Sequence, residues 1–195
     1  MSMNKTLIIF IGLVCLVACS DQRAKSYFDD GLWALNKDDV KGAIKNYKKA
    51  LEIKPDYHEV RHRLAFILID EKEYDEATFH CNFLIEKNAL EKSPYYCLGV
   101  IHYEKENYTQ AVDFLEKQMK LDPGSVGLPR SLAEAYIKLN KFNAAEKALE
   151  IEKYQADYDV GYNMLMGEIL MGQGKEQEAQ LFFSKAKSLN QYYSR

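Results

Sequence analysis

No basic stripe and no run of like charge appears in the 195-residue sequence: 26 lysines and arginines are interspersed with 29 aspartates and glutamates, for a formal net charge of -3. A nucleic-acid surface normally gathers its cations on one face, so this composition argues against a nucleic-acid partner. A glycine-rich phosphate loop is lacking, and so is the Gly-x-Ser-x-Gly turn that exposes a nucleophilic serine. Proline and glycine are scarce, at four and ten residues, and with 47% hydrophobic and 28% charged residues the chain shows no sign of bulk disorder. One compact unit of ordinary domain size is expected.

Cysteine is scarce too, at Cys15, Cys19, Cys81 and Cys97, and the first two lie in a segment unlike the rest. Lys5 precedes an apolar run from Leu7 to Ala18, too short to span a bilayer and patterned like the charged and apolar regions of a secretory signal. The run ends in Leu16-Val17-Ala18-Cys19, which resembles the lipobox of bacterial lipoproteins. That resemblance implies a signal peptide over 1–18, a diacylated Cys19 with a short tether over 19–23, and membrane attachment through acyl chains, two or more of which are needed for stable anchoring. Ser20 rather than aspartate follows the cysteine, which resembles the outer-membrane class in two-membrane bacteria. The expected location is the outer membrane, facing the periplasm. Cys81 and Cys97 are then the thiols of the mature body, either bridged in an oxidising compartment or packed as small hydrophobes on helical faces.

The body has a fixed period. Ala43, Ala77, Ala111, Ala145 and Ala179 stand thirty-four residues apart, each with Gly31, Ala65, Gly99, Ala133 or Gly167 twelve positions upstream. Such a period marks stacked repeats, and small residues at two fixed positions let antiparallel helices approach closely. Repeats begin at Ala24, His58, Lys92, Val126 and Val160 without insertion. The pattern resembles the tetratricopeptide repeat: the first repeat matches through Tyr27, Gly31, Ala43, Tyr47, Ala50 and Pro55, the third through Tyr95, Leu98, Gly99, Ala111 and Pro123. The resemblance implies an all-α, right-handed superhelical solenoid of five 34-residue helix-turn-helix repeats over residues 24–193. Gln118 and Glu152 replace the small residue at repeat position 27 and predict looser second helices in repeats three and four. Pro123, Gly124, Gly127 and Pro129 crowd one joint, so the next helix should start near Pro129, since proline is tolerated only in a first turn.

His58-Glu59-Val60-Arg61-His62 spells HExxH. Two histidines at i and i+4 share a helix face and, with a third ligand, can hold zinc while the glutamate activates water. Against a metalloprotease, these residues fill the first five positions of a repeat, and Arg61 places a positive charge between the ligands. Asp56 followed by Glu59 instead resembles a capping box. No cofactor or metal is expected.

In the family that the repeats resemble, ligands lie in a concave groove lined by first helices. Carried over, the groove positions are Phe28, Leu32 and Leu35; His62, Phe66 and Ile69; Tyr96, Val100 and Tyr103; then Arg130, Glu134, Met164 and Met171. An aromatic and apolar set suits the centre of a protein interface, and it equally suits half-buried supports between helices. Phe28 and Leu32 replace the lysine and asparagine with which chaperone-binding members clamp a terminal carboxylate. After the last hairpin only Gln191 to Arg195 follow, so Leu181, Phe182 and Leu189 either support self-association or pack within their repeat. The function expected is a non-catalytic, lipid-anchored scaffold holding another envelope protein, similar to small lipoproteins of pilus or secretin assembly. Alternatives are an adaptor for outer-membrane protein insertion or for peptidoglycan enzymes, and a zinc protease using HExxH.

Overall fold

A computed structural model describes residues 5–89 and 93–193, with side chains described from Cys19 onward. The described residues are helical and contain no strand. In chain order the elements are α1 (Lys5–Leu35), α2 (Val40–Ile53), α3 (His58–Asp70), α4 (Tyr74–Glu86), α5 (Pro94–Glu104), α6 (Tyr108–Leu121), α7 (Leu128–Lys138), α8 (Phe142–Leu149), a 3₁₀ stretch (Glu150–Asp157), α9 (Val160–Gly172) and α10 (Glu176–Tyr193). Where one compact unit is expected from length, the chain divides into two, Met1–Lys92 and Ser93–Arg195.

The period reappears in the backbone. Second helices start at Val40, Tyr74, Tyr108, Phe142 and Glu176, thirty-four residues apart. Two residues before each start, Asp38, Lys72, Glu106, Asn140 and Gly174 adopt positive φ. A left-handed residue just past a helix end reverses the chain while satisfying the last carbonyls. The amide of the following residue closes each turn, as Asp39 N to Ala34 O at 2.9 Å and Glu73 N to Leu68 O at 2.7 Å. Identical turns therefore make identical hairpins.

In the first unit α1 packs on α2 and α3 on α4. Ala43, Ala65 and Ala77 are buried at the crossings. A Cβ added to Gly31 would sit 2.3 Å from the ring of Tyr47, which is itself fully buried; the glycine is there because the tyrosine occupies that space. In the second unit three hairpins, α5–α6, α7–α8 and α9–α10, share one core that includes Leu115, Leu128, Leu149, Ile169 and Ala179. Gly167 repeats the device, with Phe183 2.3 Å from its missing Cβ.

The joint before repeat four is as expected: Gly127 has φ 80° and α7 begins at Leu128 with Pro129 in its first turn. Of the two second helices expected to loosen, repeat four alone does so. Glu152 is 7% exposed, and a carboxylate cannot pack there without a cation. Its helix stops at Leu149 and continues as the 3₁₀ stretch, which turns Glu152 toward Arg130. Gln118, neutral, is buried within a regular α6, so the expectation for repeat three is corrected. Cys81 on α4 and Cys97 on α5 are both buried, and neither stands as a free thiol.

Candidate protein-interaction face

The residues expected to line a groove fall on the first helices of both units. In the first unit Phe28 and Leu32 on α1, and His62 and Phe66 on α3, are half-buried, while Ile69 is 6% exposed and belongs to the core. Phe28 leans on Tyr47 (centroids 5.8 Å apart, 27° between planes) and on Tyr57 (5.5 Å, 45°). It is thus held from below while part of its ring meets solvent. His62 and Phe66, one turn apart, pack edge-on at 5.0 Å and 63°. Trp33 is 61% exposed with the Lys37 ammonium 3.7 Å from its ring centroid.

In the second unit Tyr96, Val100 and Tyr103 line α5, half-buried. The Tyr96 hydroxyl lies 3.3 Å from Ser131 Oγ, and Tyr103 packs edge-on against Tyr108 at 5.4 Å. Burial first, then the charge of Glu134, pushes the Tyr103 phenol up to about 12. Met164 on α9 is exposed, as is Met171 two turns on.

Arg130 differs from the expectation. Its Nε donates to Glu152 at 2.7 Å and its Nη1 lies 3.1 Å from Asp159, and Nη2 donates to Gln155. Burial disfavours its charge, yet its hydrogen bonds to Asp159 and Glu152 outweigh this and leave the guanidinium pKa above its ordinary value. Asp159 also caps α9 by accepting from Tyr162 N at 2.6 Å. Arg130 therefore ties the 3₁₀ stretch to α7 and α9, and its charge is already matched before any partner arrives. Repeat position alone could not reveal this, because both carboxylates lie outside the first helices. Glu168 was missed as a face residue although the frame carried the signal, since it occupies in repeat five the position that Glu134 occupies in repeat four.

HExxH lies on the first turn of α3. The N-cap is Tyr57, with no side-chain cap bond, so the capping box at Asp56 and Glu59 is corrected: the helix begins one residue too late for that register. Glu59 instead accepts from Arg63 Nε at 2.7 Å, one turn on. Arg61 is buried, donates through Nε to the Pro55 carbonyl at 2.8 Å, sits 3.5 Å over the Phe83 ring, and reaches within 3.1 Å of His80 Nδ1. Burial, then Arg61, holds the His80 imidazole down to about 4. Among the described residues no group of three or more histidine, cysteine, aspartate or glutamate side chains could hold a metal ion.

Of the residues considered for self-association, Leu181 is 72% exposed. Phe182 and Leu189 are half-buried. Phe182 shares a cavity of about 460 Å³ with Tyr162, Met166 and Leu170. Cys19 is a free, exposed cysteine on α1; the side chains of residues 1–18 lie outside those described. No helix among the described residues is long and apolar enough to cross a membrane.

Comparison with known proteins agrees with the repeat pattern. A tetratricopeptide repeat family model matches residues 34–94, and the model for anaphase-promoting complex (cyclosome) subunit 3 matches residues 70–151. Among curated proteins the chain is 25% identical over 145 residues to anaphase-promoting complex subunit 3 of Schizosaccharomyces pombe, covering 74% of this chain and 22% of that one. It is also 25% identical over 154 residues to the human protein O-mannosyl-transferase TMTC1, covering 75% of this chain and 17% of that one. The chain thus spans about a fifth of the length of these relatives. Among solved structures it is similar to MamA (TM-score 0.70, 22% identity, 89% of this chain and 94% of that one) and to Pseudomonas aeruginosa PilF (TM-score 0.73, 19% identity, 87% and 78%). These structural likenesses concern the fold.

Proposed function

We propose that this tetratricopeptide-repeat protein is a non-catalytic scaffold, anchored to a bacterial membrane through a lipidated Cys19, which holds another envelope protein on the faces of its first helices. The observation that carries this reading is the half-buried aromatic and aliphatic set on those helices: Phe28, Phe66, Tyr96 and Tyr103 are supported from behind yet partly open to solvent. Rings already fixed by packing lose little entropy on binding and make effective anchors. Cys19 is exposed and lies five residues before the first repeat, which is in keeping with an acyl tether at that position. Outer-membrane attachment facing the periplasm rests on the lipobox resemblance, and a role in assembling a pilus or secretin-type complex on the anchor and the repeats together; the likeness to PilF adds only that the folds are similar.

Crosslinking in native envelopes followed by identification of the captured protein tests the scaffold. A reproducible envelope partner that Phe66→Ala with Tyr96→Ala abolishes, with helicity intact, is expected; capture unaffected by those changes would sink the assignment of the face. For the anchor, Cys19→Ser should release the protein from membranes. Unchanged acyl labelling and membrane retention in that variant would refute lipidation at Cys19.

A further inference from the structure

The first-helix face of the second unit has a chemistry of its own. On α9, Met164, Glu168 and Met171 fall at i, i+4 and i+7, so they form one stripe. The two methionines are each 42% exposed, and Glu168 is exposed between them. Glu134 takes the equivalent position on α7, which packs against α9. Among the described residues neither Glu134 nor Glu168 forms an ion pair. Burial, then the charge of Glu168, holds Glu134 above the usual carboxylate range, Glu104 adds to this, and Arg130 and Lys138 offset it only in part. Arg130 is committed to Glu152 and Asp159. The face therefore combines adaptable apolar side chains with negative charge that Arg130 and Lys138 offset only in part.

We propose that this face receives a cationic amphipathic segment of the partner protein, its lysine or arginine side chains meeting Glu134 and Glu168 and its apolar side chains packing between Met164 and Met171. The proposal rests on the protein-binding reading above and adds the partner's chemistry. Like charges held near each other gain from a cation placed between them, and exposed methionines repack around varied apolar shapes at little cost. An anionic partner would add to the repulsion already present on the face.

The test uses the full mature chain and two synthetic 18-residue amphipathic helices, one with leucine and lysine faces and one with glutamate replacing every lysine, measured by fluorescence anisotropy. The lysine peptide should bind, weaken at least tenfold in Glu134→Gln with Glu168→Gln, weaken severalfold in Met164→Ser with Met171→Ser, and be unaffected by Glu178→Gln on α10. Equal binding of both peptides, or an affinity that the Gln pair leaves unchanged, overturns the proposal. The envelope crosslinking separates this from the scaffold reading: a native partner still captured by the Gln pair removes the proposal and leaves the scaffold intact. A second copy is also distinguishable, since α2 presents Lys41, Lys45 and Lys48 in a helical row. Concentration-dependent mass that the Gln pair abolishes would make this chain its own occupant and overturn the claim of a separate partner.

Discussion

Replacing Arg130 by methionine keeps most of the apolar stem and removes the charge that holds the 3₁₀ stretch. Glu152, with its side chain 10% exposed, would lose a contact of 2.7 Å, and Asp159 one of 3.1 Å. Breaking a fully buried pair costs about 3–5 kcal/mol because the remaining charge is stranded. The Arg130 side chain is 27% exposed, so solvent recovers part of this, and a loss of about 2–3 kcal/mol is expected. For a chain of this length that corresponds to a fall in Tm of about 4–12 °C. Thermal unfolding followed by circular dichroism reads it directly. Glu152→Gln should cost less than Arg130→Met, because it leaves an amide rather than a bare charge, and the double variant should be clearly less destabilised than the sum of the two. A Tm unchanged within a degree, or strict additivity, would refute the tie and return Arg130 to the set of free face residues. The same tie predicts acid sensitivity: burial alone would raise the Asp159 pKa, but the Tyr162 amide and Arg130 hold it below its ordinary value. Its stabilisation is then present above the unfolded carboxylate range and lost as pH falls through the lowered folded value.

Two further outcomes are expected. His80, held down to about 4 by burial and Arg61, must stay neutral in the folded state, so stability should decline as pH falls from about 6.5 toward 4, by at most about 3 kcal/mol; urea titrations in which His80→Gln shows the same slope would exclude His80 as the cause. Gly31→Leu places a side chain where Cβ alone would lie 2.3 Å from the Tyr47 ring, and overpacking of that kind costs about 1–3 kcal/mol; a denaturation midpoint at or above that of the parent chain would show that the hairpin does not need the close approach.

Much of the fold was legible because the repeat is a property of local sequence. Each hairpin needs small residues at its crossing and a left-handed turn at one position, and both recur at a fixed interval that the alanines already mark. The start of α7 was legible for the same reason, since Gly127 and Pro129 restrict only their own backbone. The face was less so. Repeat position put Phe66 and Tyr96 on first helices, where both are half-buried, yet it could not show that Ile69 is drawn into the core or that Glu59 reaches Arg63 and Arg61 turns inward to His80. The capping box failed because one residue's difference in where a helix begins changes which side chain can reach a free amide.

The sequence by itself determined the period, the helical hairpins and the placing of HExxH in the first turn of a helix, because each of these depends on residues within one repeat. Only the tertiary structure decided where the charges are matched. Arg130 is neutralised by Glu152 and Asp159, twenty-two and twenty-nine residues further along the chain, and Glu134 is left facing Glu168 from a neighbouring helix. Electrostatic interaction follows distance through space, and that distance exists only once the helices are packed.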